Sequence, residues 1–200
     1  MPARALFDSG EGEMFAVGAG GRDFEKAVGG QRGFTLIELL IVVTIIGLIA
    51  TISVPGLLRA RMTGNETSAI ASLRSVVTAE TSYASGCGSG NYAVALGPLA
   101  VGPGGSADGY LSPDLASSLM PTKNGYLYAM APGAGGIAGP PDCNGTATHS
   151  TYYVTAVPVV VGTTGTRGFA GNQSMTIWQN IFGAAPAEPL TAGAGVSPIQ

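Results

Sequence analysis

Charge is the first thing this sequence is short of. Only 10% of its 200 residues are Asp, Glu, Lys or Arg, and 9 basic against 12 acidic residues leave a formal net charge of −3. A nucleic-acid surface needs clustered Lys and Arg to follow the phosphates, and no such cluster occurs, so no nucleic-acid partner is expected. Histidine occurs once, at His149, and the carboxylates are dispersed, which leaves Zn²⁺ without a ligand set. The glycine tracts at 102–109 and 133–139 tempt a phosphate-loop reading. Neither fits G-x-x-x-x-G-K-[ST] and no amphipathic helix follows either one, so no nucleotide is expected. Asp108 and Asp142 sit on Gly-rich loops and keep a calcium site open as a minor alternative. There are two cysteines, Cys87 and Cys143, and no activating motif surrounds either, so a Cys143–His149 catalytic pair has little behind it. No cofactor, no metal and no enzymatic activity are expected.

Glycine is abundant, at 32 residues, well above the roughly 7% average. A Gly-rich chain with few charges suits packing against copies of itself. The dominant feature is an apolar run from Phe34 to Val54, in which Glu38 is the single charge. As a helix that run extends ~31 Å, enough to cross a hydrocarbon core. A secretory signal peptide has a short apolar core followed by a small-residue cleavage site. Here no such site follows, and the glycine that invites processing, Gly33, comes before the run. Cutting there leaves the apolar helix on the mature chain. Thr35 and Glu38 fit the [ST]-x-x-[DE] capping box, and an acid in the first turn suits the helix dipole. A carboxylate inside a membrane segment is also costly, by about 2.5 kcal/mol or more at the centre, which marks Glu38 as functional.

Gly33-Phe34-Thr35-Leu36-Ile37-Glu38 resembles the processing and N-methylation signature of type IV pilins and type II secretion pseudopilins. The resemblance covers residues 32 to about 85. It implies an α+β, pilin-like fold: a long N-terminal helix packed on a small antiparallel β-sheet. It implies cleavage between Gly33 and Phe34 by a membrane prepilin peptidase that also methylates the new N-terminus of Phe34. Glu38 would pair with the N-terminal amine of a neighbouring subunit during assembly. Gly47 and Pro55 match the positions between which family helices loosen in filaments, and proline also predicts a kink near Val54. The expected partners are copies of the chain, the peptidase/methyltransferase, an inner-membrane assembly platform and, before assembly, membrane lipid. The expected location is the bacterial inner membrane as a single span, then the periplasm or a surface pilus. The function implied is a structural subunit of a type IV pilus-like filament, with a type II secretion pseudopilin as the alternative. Major pseudopilins usually carry acidic calcium-binding loops near the C-terminus, whereas Glu188 is the only acid after Asp142 here. On the far side of the span, in an oxidising compartment, Cys87 and Cys143 read as a disulfide, with two buried thiols as the other reading.

The expected organisation is a leader over 1–33, a transmembrane or filament-core helix over 34–55, and an amphipathic helix half over 56–85. A variable loop region over 86–122, an antiparallel sheet region over 123–183 and a flexible tail over 184–200 complete it. In the amphipathic half Leu58, Met62, Ala69, Leu73, Val76 and Tyr83 form a stripe at three-, four- and seven-residue steps, with Arg59, Arg61, Glu66, Arg74 and Glu80 largely off it. Gly86 is a natural stop. One short helix is expected within 114–120. Strand signals at 125–130 and 151–157, and a hairpin through Gly171-Asn172-Gln173, predict three or four antiparallel strands. Pro158 argues for an edge or a bulge. Asn65-Glu66-Thr67 and Asn144-Gly145-Thr146 are formal glycosylation acceptors.

Overall fold

A computed structural model of the chain describes residues 33–199; the leader expected over 1–33 lies, except for Gly33, outside the described residues. The chain divides into two units, residues 1–44 and 45–200. In the first, the described backbone enters helix α1, which runs Leu36–Gly86. Thr35 caps it: the Glu38 backbone N–H donates to Thr35 Oγ1 at 3.2 Å, satisfying one of the donors a helix start leaves open. The hydroxyls of Thr44 and Thr51 donate to the carbonyls of Leu40 and Gly47, so neither is left seeking water. The helix is continuous through Gly47 and Pro55.

In the second unit α1 turns one face inward. Ala69, Leu73, Val76, Val77, Ala79 and Tyr83 are buried against a sheet core of Tyr126, Tyr128, Tyr152, Val154, Ala156, Phe169 and Ile177. The stripe starts later than its spacing predicts: Leu58 is 53% exposed, because nothing from the sheet reaches that far down the helix. Tertiary hydrogen bonding of α1 to the sheet end begins at Asn65 and Glu66, which meet residues 164–167. The seven-residue sequence from Gly86 to Tyr92 closes the helix, with Cys87 and Gly88 N–H both donating to the Tyr83 carbonyl at 2.8 Å.

The sheet has six antiparallel strands in the order β2-β3-β5-β6-β7-β8: Thr122–Lys123, Tyr126–Pro132, Tyr152–Pro158, Gly168–Asn172, Ile177–Asn180 and Val196–Pro198. A separate two-stranded ribbon pairs β1 (Tyr92–Ala93) with β4 (Thr148–His149). Alternation in β5 is strict, with Tyr152, Val154 and Ala156 buried and Tyr153, Thr155 and Val157 turned the other way. Pro158 ends β5, where it pairs with Tyr126 on one side only. Gly171 faces the helix. A Cβ there would lie 3.4 Å from Val77 Cγ2 and 3.2 Å from Ile177 Cδ1, so an added methyl would require those side chains to give by a few tenths of an ångström.

Three expectations change. Six strands replace three or four, since β2 and β8 are only two and three residues long and carry no period to read. The hairpin turn is at 173–176, two residues later than Gly171-Asn172-Gln173, because the Asn172 side chain organises it. Its Oδ1 accepts the N–H and hydroxyl of Ser174 at 3.1 and 2.7 Å. The 184–200 stretch is not a free tail: β8 pairs with Trp178–Asn180, and Glu188 accepts the Ala134 N–H at 2.6 Å. The short helix expected within 114–120 is α2, Pro113–Ala116.

Candidate functional site

The N-terminal part of α1 is left uncovered by the described residues. Phe34 is 78% exposed and Leu36 82%, and every large apolar side chain from Phe34 to Leu58 is exposed, although water is a poor neighbour for all of them. At roughly 1.5–3 kcal/mol for each such side chain fully buried, covering this stretch is worth tens of kcal/mol. The helix meets the length and composition of a membrane span. Gly33 and Phe34 precede the first helical residue, and among the described residues a Cβ on Gly33 would meet nothing within 4 Å, so the Gly33–Phe34 bond lies outside the helix. Glu38 lies in the first turn, and among the described residues its carboxylate has no hydrogen-bond or ion-pair partner. A cut at Gly33 leaves an ammonium on Phe34 within about one helical turn of that carboxylate.

A second set of groups fastens the helix to the sheet. Glu66, 5% exposed, takes five donors. Its Oε1 accepts from the Thr166 N–H and hydroxyl (both 2.8 Å) and the Arg167 N–H (3.1 Å); its Oε2 accepts from Arg167 Nε and Nη2 at 2.8 and 2.7 Å. Burial opposes the charged form, but these hydrogen bonds and the guanidinium outweigh it and hold the Glu66 carboxyl below its ordinary value. Arg167 also reaches Gln179 Oε1 and lies over the Phe169 ring. Glu80 is different. It is fully buried, its Oε2 accepts only the Ala93 N–H at 3.0 Å, and its Oε1 has no partner. Burial pushes this carboxyl up to about 8. Both acids are expected largely off the apolar stripe; the fold puts both on it.

Cys87 and Cys143 are bonded to each other, so neither is a free thiol and Cys143 cannot serve His149 as a nucleophile. The His149 ring instead faces the Thr151 carbonyl, with Nδ1 at 3.0 Å. Beside the disulfide, Tyr83 donates its hydroxyl to Asp142 Oδ2 at 2.7 Å, and the N–H groups of Asn144 and Thr146 fill Oδ1. Burial disfavours the ionised Asp142, yet these donors keep its carboxyl below the usual value. That carboxylate is therefore committed, and no group of three or more His, Cys, Asp or Glu among the described residues could hold a metal. The two glycosylation-type asparagines also have their amides engaged: Asn65 Nδ2 donates to Thr164 O at 2.9 Å and Asn144 Nδ2 to Gly102 O at 3.2 Å.

A span-length apolar helix with a single acid in its first turn, running on into a small antiparallel sheet, defines a pilin-like class. Comparison with known proteins agrees where the signature lies. Residues 29–54 match the prokaryotic N-terminal methylation motif family. The chain is 43% identical over 53 residues to the type IV major pilin protein PilA of Myxococcus xanthus, covering 26% of this chain and 24% of that one. It is 46% identical over 52 residues to the type IV wide pilus major component PilA4 of Thermus thermophilus, covering 26% of this chain and 40% of that one. The chain thus matches less than half the length of either relative. No solved structure matches it. In its N-terminal segment the protein is type IV pilin-like, and the resemblance read from Gly33 to Glu38 holds.

Proposed function

We propose that this chain is the structural subunit of a type IV pilus-like filament, held as a single inner-membrane span and assembled through the N-terminal half of α1. The observation that carries the reading is the stretch from Phe34 to Leu58, exposed along its whole length and interrupted by one acid. Lipid can cover it in a stored subunit; the same stretch of neighbouring copies can cover it in a filament. A prepilin peptidase cuts after Gly33 and methylates Phe34. The buried ammonium so created and the Glu38 carboxylate of a neighbour neutralise one another, which matters because either charge alone is expensive in an apolar surround. An inner-membrane platform moves the subunit from lipid to filament. The names of the two relatives favour a pilus over a secretion pseudopilus. The absence of an acidic cluster after Asp142 points the same way.

Mass spectrometry of the chain from sheared surface filaments tests this. The expected species begins at N-methyl-Phe34 and is abundant in filaments seen by electron microscopy. A chain that keeps residues 1–33 at maturity, or one that lacks the apolar helix, overturns the proposal. Filaments absent from the surface, with secreted proteins trapped in a deletion strain, transfer it to the pseudopilus.

A further inference from the structure

The face of the sheet turned away from α1 carries a cavity that filament assembly through the helix does not use. Antiparallel partners share a face, so the pairs Tyr153↔Asn172, Thr155↔Ala170 and Ala170↔Trp178 place Tyr153, Asn172 and Trp178 opposite the core-facing Tyr152, Val154 and Phe169. The 183–190 segment crosses this outer side. Tyr153 donates its hydroxyl to the Pro186 carbonyl, and Glu188 takes the Ala134 N–H on Oε2 and the Asn172 amide on Oε1 at 3.4 Å. Between that segment and the β6–β7 turn lies a cavity of about 420 Å³, lined among others by Asn172, Gln173, Thr176, Trp178, Glu188 and Leu190. Its size is that of a small-molecule site.

The lining narrows the ligand class. Trp178 is the only tryptophan of the chain; it is partly exposed, and its indole N–H has no partner among the described residues. Around it stand a carboxylate, two carboxamides and hydroxyls, the complement of a ring bearing neighbouring hydroxyl groups. No Lys, Arg or His lines the cavity, so phosphates, nucleotides and acidic sugars find no countercharge. Two of the polar groups, Asn172 and Glu188, are held rather than loose. Asn172 is oriented by Ser174 at one end and Glu188 at the other, and Met175 in the same turn adopts φ +59°, a conformation costly for a side-chain-bearing residue. Groups fixed beforehand lose less freedom on binding. We propose that this cavity binds a neutral saccharide, whose ring stacks on the Trp178 indole while Glu188 and Asn172 meet its hydroxyls. Repeated along a filament, even a weak site becomes a multivalent one.

The full-length chain in a zwitterionic, sugar-free detergent suits the test, because with one tryptophan its emission reports this cavity alone. Titration with chitotriose and cellotriose is expected to give a saturable shift with at least one of them, and trigalacturonate none. Calorimetry with the same sugar is expected to show binding lost in Trp178→Ala and kept in Trp178→Phe. Glu188→Gln and Gln173→Ala should each weaken it by about fivefold or more. Gln173 is exposed and makes no side-chain hydrogen bond among the described residues, so Gln173→Ala keeps the wild-type melting temperature even where a Glu188 variant does not. No saturable response to either neutral trisaccharide overturns the proposal. So does a response to trigalacturonate of equal strength, or binding that survives Trp178→Ala.

Discussion

The two halves of α1 are both apolar, yet they meet opposite fates. Between Phe34 and Leu58 the apolar residues run all round the helix and every large one is exposed; between Glu66 and Tyr83 they are confined to one face and buried. Both the amount of hydrophobicity and its period separate these outcomes: the first stretch holds one charge, while 66–83 holds Glu66, Arg74 and Glu80 among many hydroxyl residues. Residues 66, 69, 73, 76, 80 and 83 step by three and four without a break, the spacing that lets a helix lie along one surface of its own chain. A helix apolar on every side cannot be satisfied by one sheet. It needs an environment that surrounds it, which a bilayer or a bundle of like helices supplies. The difference also explains why Glu38 and Glu66 fare differently. Glu38 has no partner among the described residues, while Glu66 is wrapped by five donors from the loop before β6.

The largest effect that separates the halves is on assembly. Glu38→Ala is expected to leave processing and membrane insertion intact and to reduce surface filaments by at least about tenfold, read by shearing and immunoblot against the total pool; a 1.4 kcal/mol loss per subunit contact already gives that factor. Filaments at wild-type yield would show that the exposed half assembles without its acid. Next comes the disulfide, which ties the chain just past the buried half to the loop before β4. Cys87→Ser combined with Cys143→Ser opens a link between positions 56 apart in sequence. The expected cost is about 4 kcal/mol on chain-entropy grounds, on the order of 10 °C in melting temperature.

Paired truncations sharpen the contrast further. Leu73 is fully buried and Leu58 is 53% exposed, on the same helix and with the same side chain. Leu73→Ala should cost about 3 kcal/mol in denaturant titration of the full-length chain, and Leu58→Ala should be neutral within about 0.5 kcal/mol. Equal losses would mean that the stripe begins at Leu58 after all.

What was legible in the sequence follows the same division. The apolar run, the Thr35 cap, the strands β3 and β5, and the hairpin of β6 and β7 announce themselves through local patterns: uniform hydrophobicity, a capping spacing, runs of strand-forming residues, turn residues. The edge strands β2 and β8 do not, because two or three residues have no period and their pairing is decided by where β3 and β7 already lie. Glu66 and Glu80, expected largely off the stripe, fall on it by spacing once the buried positions are known. The information that reverses this is non-local: Arg167 stands 101 residues from Glu66, and Ala93 belongs to a ribbon completed by Thr148 and His149. The outer cavity was unreadable for the same reason, since it exists only where residues 183–190 cross β6 and β7. The lone tryptophan was the one signal that pointed there.

Glu80 gives the finest test, because it asks whether the buried half tolerates an acid at all. Its folded-state carboxyl is raised by burial to about 8, above the ordinary value of 4.5. The native state therefore keeps a proton that the unfolded chain releases, and stability falls as pH rises between these values. Below about 4.5 both states are protonated and this penalty vanishes. Glu80→Gln copies the protonated acid: the amide oxygen can still accept the Ala93 N–H, and the NH₂ replaces the acid hydroxyl. The variant should match the wild type near pH 4, gain steadily as pH is raised to 8, and exceed it there by about 4 kcal/mol, or on the order of 10 °C in melting temperature. Parallel melting curves across that range would mean that Glu80 ionises in place, with its unpartnered oxygen reached by water, and that the buried half of α1 is less sealed than its packing implies.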